Sequence, residues 1–196
     1  MKILFLGEKT NPVYKWILNN NEEVISITKK INLEFVKNGN FEFIISYGYR
    51  HIISQEIILF MKEKIINLHI SLLPYNRGAD PNFWSYLENT PKGVTIHLID
   101  KGIVTGDIIV QKEIDIDEDK HSLKTSYNLL NNEIQNLFFT NWKKIKNGDI
   151  MSTKQSDKGS FHLSNDKNKY TYLLNENGWN TNCKKIANEN IKLHIR

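Results

Sequence analysis

The 196-residue chain is 40% hydrophobic and 24% charged with a net charge of +4, which suits a soluble globular protein with one sizeable core and at most one domain plus an appendage. No apolar run approaches the ~20 residues that span a bilayer, and MKILFLGEKT has a single lysine ahead of too short an apolar core for a signal peptide. The lone cysteine, Cys183, has neither a disulfide partner nor companion metal ligands in the sequence, which fits a reducing cytoplasm and a protein without a metal site.

Lys2–Leu6 is an apolar, strand-like run ending at Gly7. Gly7-Glu8-Lys9-Thr10 lacks the Gly-x-Gly-x-x-Gly spacing of a dinucleotide site. Pro12–Asn19 has helical spacing and stops at the Asn19–Asn21 triplet, Val24–Thr28 reads as a second strand, and Lys30–Val36 as a weak helix or loop. Phe41–Tyr47 is a buried strand leading into Gly48, and the turn Ser46–His51 precedes a helix over Ser54–Met61, with Ser54 placed to cap it. This βαβ order predicts parallel strands joined by right-handed crossovers.

Ile65-Ile66-Asn67-Leu68-His69 is the next strand, in which Asn67 and His69 share a face. Ser71-Leu72-Leu73-Pro74 breaks it. Arg77-Gly78 and Asp80-Pro81 read as loop, with Pro81 suited to the first turn of a helix over Asn82–Glu88. Gly93–Asp100 and Ile108–Glu113 are strands joined by a glycine-punctuated loop over Lys101–Asp107. An amide, an imidazole, a guanidinium and a carboxylate-bearing loop are thus expected at neighbouring strand ends, where open α/β sheets bind ligands. The acidic run Glu113–Asp119 has no coordinating glycine loop and reads as a solvated strand end.

Ser122–Asn147 is the longest helix, with Leu123, Tyr127, Leu130, Ile134, Leu137, Phe138 and Trp142 at three- and four-residue spacings forming a core stripe. Residues 149–196 are richer in Asn, Lys and Asp and suggest a small extension, with strand-like pieces at Phe161–Leu163 and Ile191–Ile195 and a short packing segment at Tyr170–Leu174. No basic run interleaved with aromatics tracks a phosphate backbone, so small anions rather than nucleic acid or a membrane surface are the expected partners.

Asn-x-His followed by Ser-Leu-Leu-Pro, Arg-Gly and Gly-Val-Thr-Ile-His with a Thr-Gly-Asp loop resembles the folate-dependent formyltransferase family, closely over Lys64–Lys112 and loosely from Met1 to about Gly148. The resemblance implies a Rossmann-like α/β domain over residues 1–148, with a mostly parallel sheet and a C-terminal extension over 149–196. It implies 10-formyltetrahydrofolate as co-substrate, and the likeness is nearest to the nucleotide-linked aminosugar N-formyltransferases that serve lipopolysaccharide biosynthesis. It is compatible with a homodimer. By the same resemblance Asn67 and His69 stabilise the formyl oxygen as it becomes an oxyanion, Tyr49, Arg50, His51 and Ile52 form the turn that presents backbone to the pterin, and Tyr75 and Arg77 face the acceptor. Trp84 is read either as a ring-packing residue or as a core aromatic.

Two features depart from the pattern. The family's aspartate, which takes the proton from the new ammonium, falls at Val104 in Gly102-Ile103-Val104-Thr105-Gly106-Asp107. Valine cannot accept a proton. Either Asp107 or Asp100 has assumed the role, with Val104 left on the donor-binding loop, or the chain is slow or inactive. Only 66 residues precede Asn67, about one βα unit fewer than is usual, which leaves open how the donor's distal portion is held. The expected activity is therefore formyl transfer to a nucleotide-linked aminosugar, impaired by Val104, with a catalytically silent folate or nucleotide-sugar binding protein as the alternative. Formyl transfer to another small amine and formyltetrahydrofolate hydrolysis are lesser options. Residues 149–196 are too few for the RNA-binding barrel of the methionyl-tRNA branch.

Overall fold

The computed structural model describes residues 1–102, 104–156 and 158–194. In chain order the elements are β1 (Lys2–Leu6), α1 (Pro12–Asn19), β2 (Glu23–Ile27), α2 (Leu33–Asn38), β3 (Phe43–Ser46), α3 (Gln55–Met61), β4 (Ile65–His69), β5 (Arg77–Gly78), α4 (Pro81–Leu87), β6 (Gly93–Leu98), β7 (Ile108–Glu113), α5 (Leu123–Asn147), β8 (Phe161–His162) and α6 (Cys183–His194). Six strands form a sheet in the order β2-β1-β3-β4-β6-β7. The first four pair in parallel, as expected of apolar runs joined by helical crossovers. β6 reverses direction: His97 meets Asn67 and the Ile99 amide donates to the Ile65 carbonyl, so one index falls as the other rises. The sheet is mixed and Rossmann-like, and the loop after β6 starts beside the beginning of β4.

The chain divides into two compact units, the first comprising Met1–His69, Ile96–Val110 and Gln135–Lys154, the second Ile70–Thr95, Gln111–Ile134 and Gln155–Arg196. In the first, alternation along the parallel strands sends Leu4, Leu6, Ile44 and Ile65 to a face covered by Val36, Ile57 and Met61. The opposite face is aromatic. Phe43 meets Trp142 edge-on with centroids 5.2 Å apart, and Phe5 lies 5.8 Å from Tyr14. Helix α1 starts where the Asn11 side chain accepts from the Val13 amide, 2.9 Å, with Pro12 in the first turn.

In the second unit Phe83, Trp84, Tyr86, Leu87, Leu123, Leu173, Cys183 and Ile186 make the core. Two expectations are corrected here. The strand-like piece at Ile191–Ile195 is the end of α6 as far as His194, and Ile195 lies outside the described residues. The alternation of Ile191, Leu193 and Ile195 imitates a strand, but Cys183 and Ile186 are buried at helical spacing, and Asn190 donates to the Leu87 carbonyl, 2.7 Å. On α5, Tyr127 is 51% exposed, because Ser126 takes the inward place. The Ser126 hydroxyl is fully buried 2.6 Å from the Tyr86 hydroxyl and donates to Asn82 Oδ1 at 2.7 Å.

Arg77–Gly78, expected as loop, is a short strand parallel to Phe161–His162. The Arg77 amide donates to the Ser160 carbonyl at 3.0 Å and the Ala79 amide to the His162 carbonyl at 2.9 Å. The two segments approach closely: a Cβ at Gly78 (φ +89°) would strike the His162 carbonyl oxygen, and one at Gly159 would strike that of Pro74. No helix among the described residues is long and apolar enough to cross a membrane.

Candidate active site

Asn67 and His69 sit two residues apart on β4, as the sequence predicts, so both side chains leave the same face. Their setting includes a residue to which sequence reasoning assigned no role. His97, on β6, is 2% exposed; its Nε2 lies 3.1 Å from Asn67 Nδ2 and its Nδ1 lies 2.7 Å from the Leu98 carbonyl oxygen. A carbonyl can only accept, so Nδ1 carries the proton. The neutral ring then offers only a lone pair at Nε2, and the Asn67 amide must donate to it. Burial, reinforced by the neighbouring His69, pushes the His97 pKa down to about 3, with the Leu98 carbonyl and Asp100 opposing. His97 is therefore neutral at pH 7 and fixes which way the Asn67 amide faces. The His69 and His97 rings meet edge-on, 6.3 Å apart. Only the antiparallel register of β6 reveals the pairing, since thirty positions separate the two residues.

The loop after β6 is latched by Asp100, whose Oδ1 accepts from the Gly102 amide at 3.0 Å and the Thr105 hydroxyl at 2.7 Å. Between these anchors Val104 is left-handed, φ +59°, a conformation uncommon for any residue but glycine and most costly for a β-branched one. Of the two candidate carboxylates, Asp100 is the one whose charge reaches His97. Asp107 lies at the closing end of the loop, its carbonyl accepting from the Leu98 amide at 2.9 Å.

The turn over Tyr49–Ile52 is anchored at one end. The half-buried Tyr49 hydroxyl donates to the Lys29 carbonyl at 2.9 Å and accepts from the Ile31 amide at 3.2 Å. Burial raises its pKa, which keeps it a donor. Arg50 and His51 are exposed, and Ile52 is 77% exposed.

Tyr75 and Arg77 belong to the second unit. The Tyr75 carbonyl accepts from the Ser71 hydroxyl at 2.7 Å. Arg77 Nε donates to Gln155 Oε1 and Nη2 to the Ser156 carbonyl, both at 3.1 Å, so part of the guanidinium fork clasps the C-terminal segment. Trp84 is 3% exposed and stacks on His162 with centroids 3.7 Å apart; it is a core aromatic.

Residues 6–140 match the formyl transferase family. The methionyl-tRNA formyltransferase of Clostridium novyi (strain NT) is 33% identical over 159 residues, 79% of this chain and 51% of that protein, so the chain spans about half the length of such curated relatives. The formyltransferase PseJ of Anoxybacillus kamchatkensis, solved in complex with UDP-4,6-dideoxy-4-formamido-L-AltNAc and tetrahydrofolate, is 44% identical and superposes with a TM-score of 0.92 over 97% of this chain and 100% of that one. WlaRD, a sugar 3N-formyl transferase solved in the presence of dTDP and 5-N-formyl-THF, is 25% identical with a TM-score of 0.69 over 85% of this chain and 70% of that one. With Asn67 and His69 leaving one face of β4 and the family match spanning most of the chain, the protein belongs to the formyl transferase family.

Proposed function

We propose that the chain transfers a formyl group from 10-formyltetrahydrofolate to the amine of a nucleotide-linked aminosugar. The observation that carries this is the Asn67–His97 hydrogen bond beside His69, a polar set on a buried face that core packing alone does not call for. The likeness to PseJ makes a UDP-linked 4-amino-4,6-dideoxy sugar the first acceptor to test.

The residues present suit the donor: an anchored turn with exposed backbone at 50–52 for the pterin, and Asn67 and His69 for the formyl oxygen. When bound, the donor supplies an activated formyl carbon. His97 takes one of the two Asn67 amide hydrogens and leaves the other for the oxygen that becomes an oxyanion. Protonated, His69 would meet the same oxygen with a charged donor. A donor aimed at developing charge in a site with little water is where such catalysis gains most. Val104 cannot receive the proton of the new ammonium, which leaves that task to Asp107, to Asp100 or to water. On this reading turnover is slow.

The second reading, a catalytically silent binding protein, is favoured by Val104 alone. Single-turnover formyl transfer and equilibrium binding measured on the same sample separate the two. Binding of both ligands without transfer supports the silent reading, and transfer to the UDP-linked aminosugar supports the first.

A further inference from the structure

Strand β2 ends the six-stranded sheet, and among the described residues no strand pairs with its outer side. The Gly7 amide donates to the Ile27 carbonyl at 3.0 Å, in the parallel register that sets Leu6 beside Ile27. The odd-numbered residues of β2 thus turn their main chain to β1. Alternation turns the amides and carbonyls of Val24 and Ser26 outward, with Thr28 at the next such position. Such an edge is a template for another strand unless a proline, a bulge or an inward-pointing charge blocks it. The stretch Glu22–Lys30 (EEVISITKK) has no proline, its register against β1 runs without a bulge, and Ile25 is 38% exposed in its middle. Its charge is instead sorted by end. Glu23 stands exposed before the apolar run, with one ion pair, to Lys2 at 3.4 Å through Oε1. Lys29 and Lys30 stand exposed after it, and among the described residues neither holds an ion pair.

Read backwards, the pattern is the same with the signs exchanged. Laid antiparallel about Ser26, two copies set Glu23 against Lys29, Val24 against Thr28, Ile25 against Ile27 and Ser26 against itself. The positions that exchange main-chain hydrogen bonds in this register are Val24, Ser26 and Thr28, the ones whose main chain faces outward. A parallel, in-register pair would set like charges together at both ends, which is destabilising. We infer that β2 pairs antiparallel with β2 of a second copy of this chain, joining two sheets across a twofold axis at Ser26. The contact is isologous, so one self-complementary strand closes the assembly as a dimer. Glu23 Oε2, which Lys2 leaves open, is the oxygen for Lys29 of the second copy. Main-chain bonds supply most of the affinity, and the exposed charges, each worth little, set direction and register.

The test is charge exchange, followed by sedimentation at low salt with melting curves on the same samples. The parent is expected to dimerise as its concentration rises. Glu23→Lys and Lys29→Glu, both at exposed positions, are each expected to dimerise at least about tenfold more weakly, because two attractive pairs become repulsive. Mixed in equal amounts, the two variants are expected to recover the parental association, since each lysine of one then faces a glutamate of the other. Both substitutions in one chain are expected to do the same. Amide exchange needs no substitution: Val24 and Ser26 should exchange more slowly as the parent's concentration rises, while Ile25, bonded within the sheet, keeps one rate. If either variant fails to fold, the exchange result alone decides. A parent whose Val24 and Ser26 amides exchange at one rate at every concentration overturns the inference, as does a mixture that associates no better than its components. Single variants as dimeric as the parent put the contact on another surface and overturn it too.

Discussion

Replacing Val104 by aspartate is expected to raise stability and turnover together. Val104 is held at φ +59° between the two hydrogen bonds that Asp100 accepts. A non-glycine residue in a sparsely populated region costs about 1–3 kcal/mol. Aspartate tolerates the left-handed region better, because its short polar side chain bonds locally. Recovering about 1 kcal/mol raises the melting temperature by about 2–4 °C in a chain of this size. If the resemblance places the family's aspartate at Val104, the new carboxylate also restores a proton acceptor, a contribution of about 10²–10⁴-fold. With imperfect placement, at least about tenfold in single-turnover transfer is expected. Val104→Asn is the control: it gains the conformational term without the base, so it should melt higher and react no faster. The assay follows formylated UDP-4-aminosugar under saturating donor, with melting curves on the same samples. A Val104→Asp protein that melts lower and turns over at the parental rate would refute the reasoning. If in addition Asp107→Asn abolishes a healthy parental activity, the loop has been rebuilt around Asp107.

Asn67→Ala and His69→Ala are expected to lose roughly 2.7–4 kcal/mol of transition-state stabilisation each, with ligand affinity little changed; parental rates in both would remove the site from β4. Arg77→Ala is expected to weaken acceptor binding more than donor binding, as titrations of each ligand would show, whereas equal weakening marks its clasp on Gln155 and Ser156 as its whole role. His97 predicts a pH dependence. Its folded pKa of about 3 lies below the unfolded value of about 6.5, so the unfolded chain binds the proton first. Stability is full above about pH 6.5 and falls as the pH drops towards 3, by up to about 1.4 kcal/mol per pH unit from this group. Urea unfolding of His97→Phe between those limits should show a slope shallower by one proton, and its turnover should fall because Asn67 loses its acceptor. An unchanged slope would place His97 outside the buried network.

The parallel half of the fold was legible because Lys2–Leu6, Phe43–Ser46 and Ile65–His69 are apolar runs that a sheet can bury on both faces. The reach of α5 was legible from its spacing, but Ser126 and Tyr127 exchanged places. A serine turns inward only where Tyr86 and Asn82 wait for it, and local spacing carries no record of that. The β5–β8 pairing joins residues 84 positions apart, so neither segment announces a strand by itself. In the candidate site, the common face of Asn67 and His69 could be read from strand parity. The role of His97 could not, because it depends on β6 running against β4. Neither could the left-handed state of Val104, which lies between the two bonds that Asp100 accepts.

If Tyr75 and Arg77 face the acceptor as proposed, the close packing of Gly78 against His162 and of Gly159 against Pro74 has a consequence for anyone who would broaden acceptor scope by directed evolution. Saturating the Tyr75–Gly78 stretch alone would explore a cramped landscape: Gly78 has no room for a side chain against His162, and Pro74 is crowded in turn by Gly159. Arg77 is likewise tied to Gln155 and Ser156. Productive libraries will have to diversify both stretches in one gene pool, Tyr75 and Arg77 together with Gln155 and Ser156, and leave the two glycines fixed.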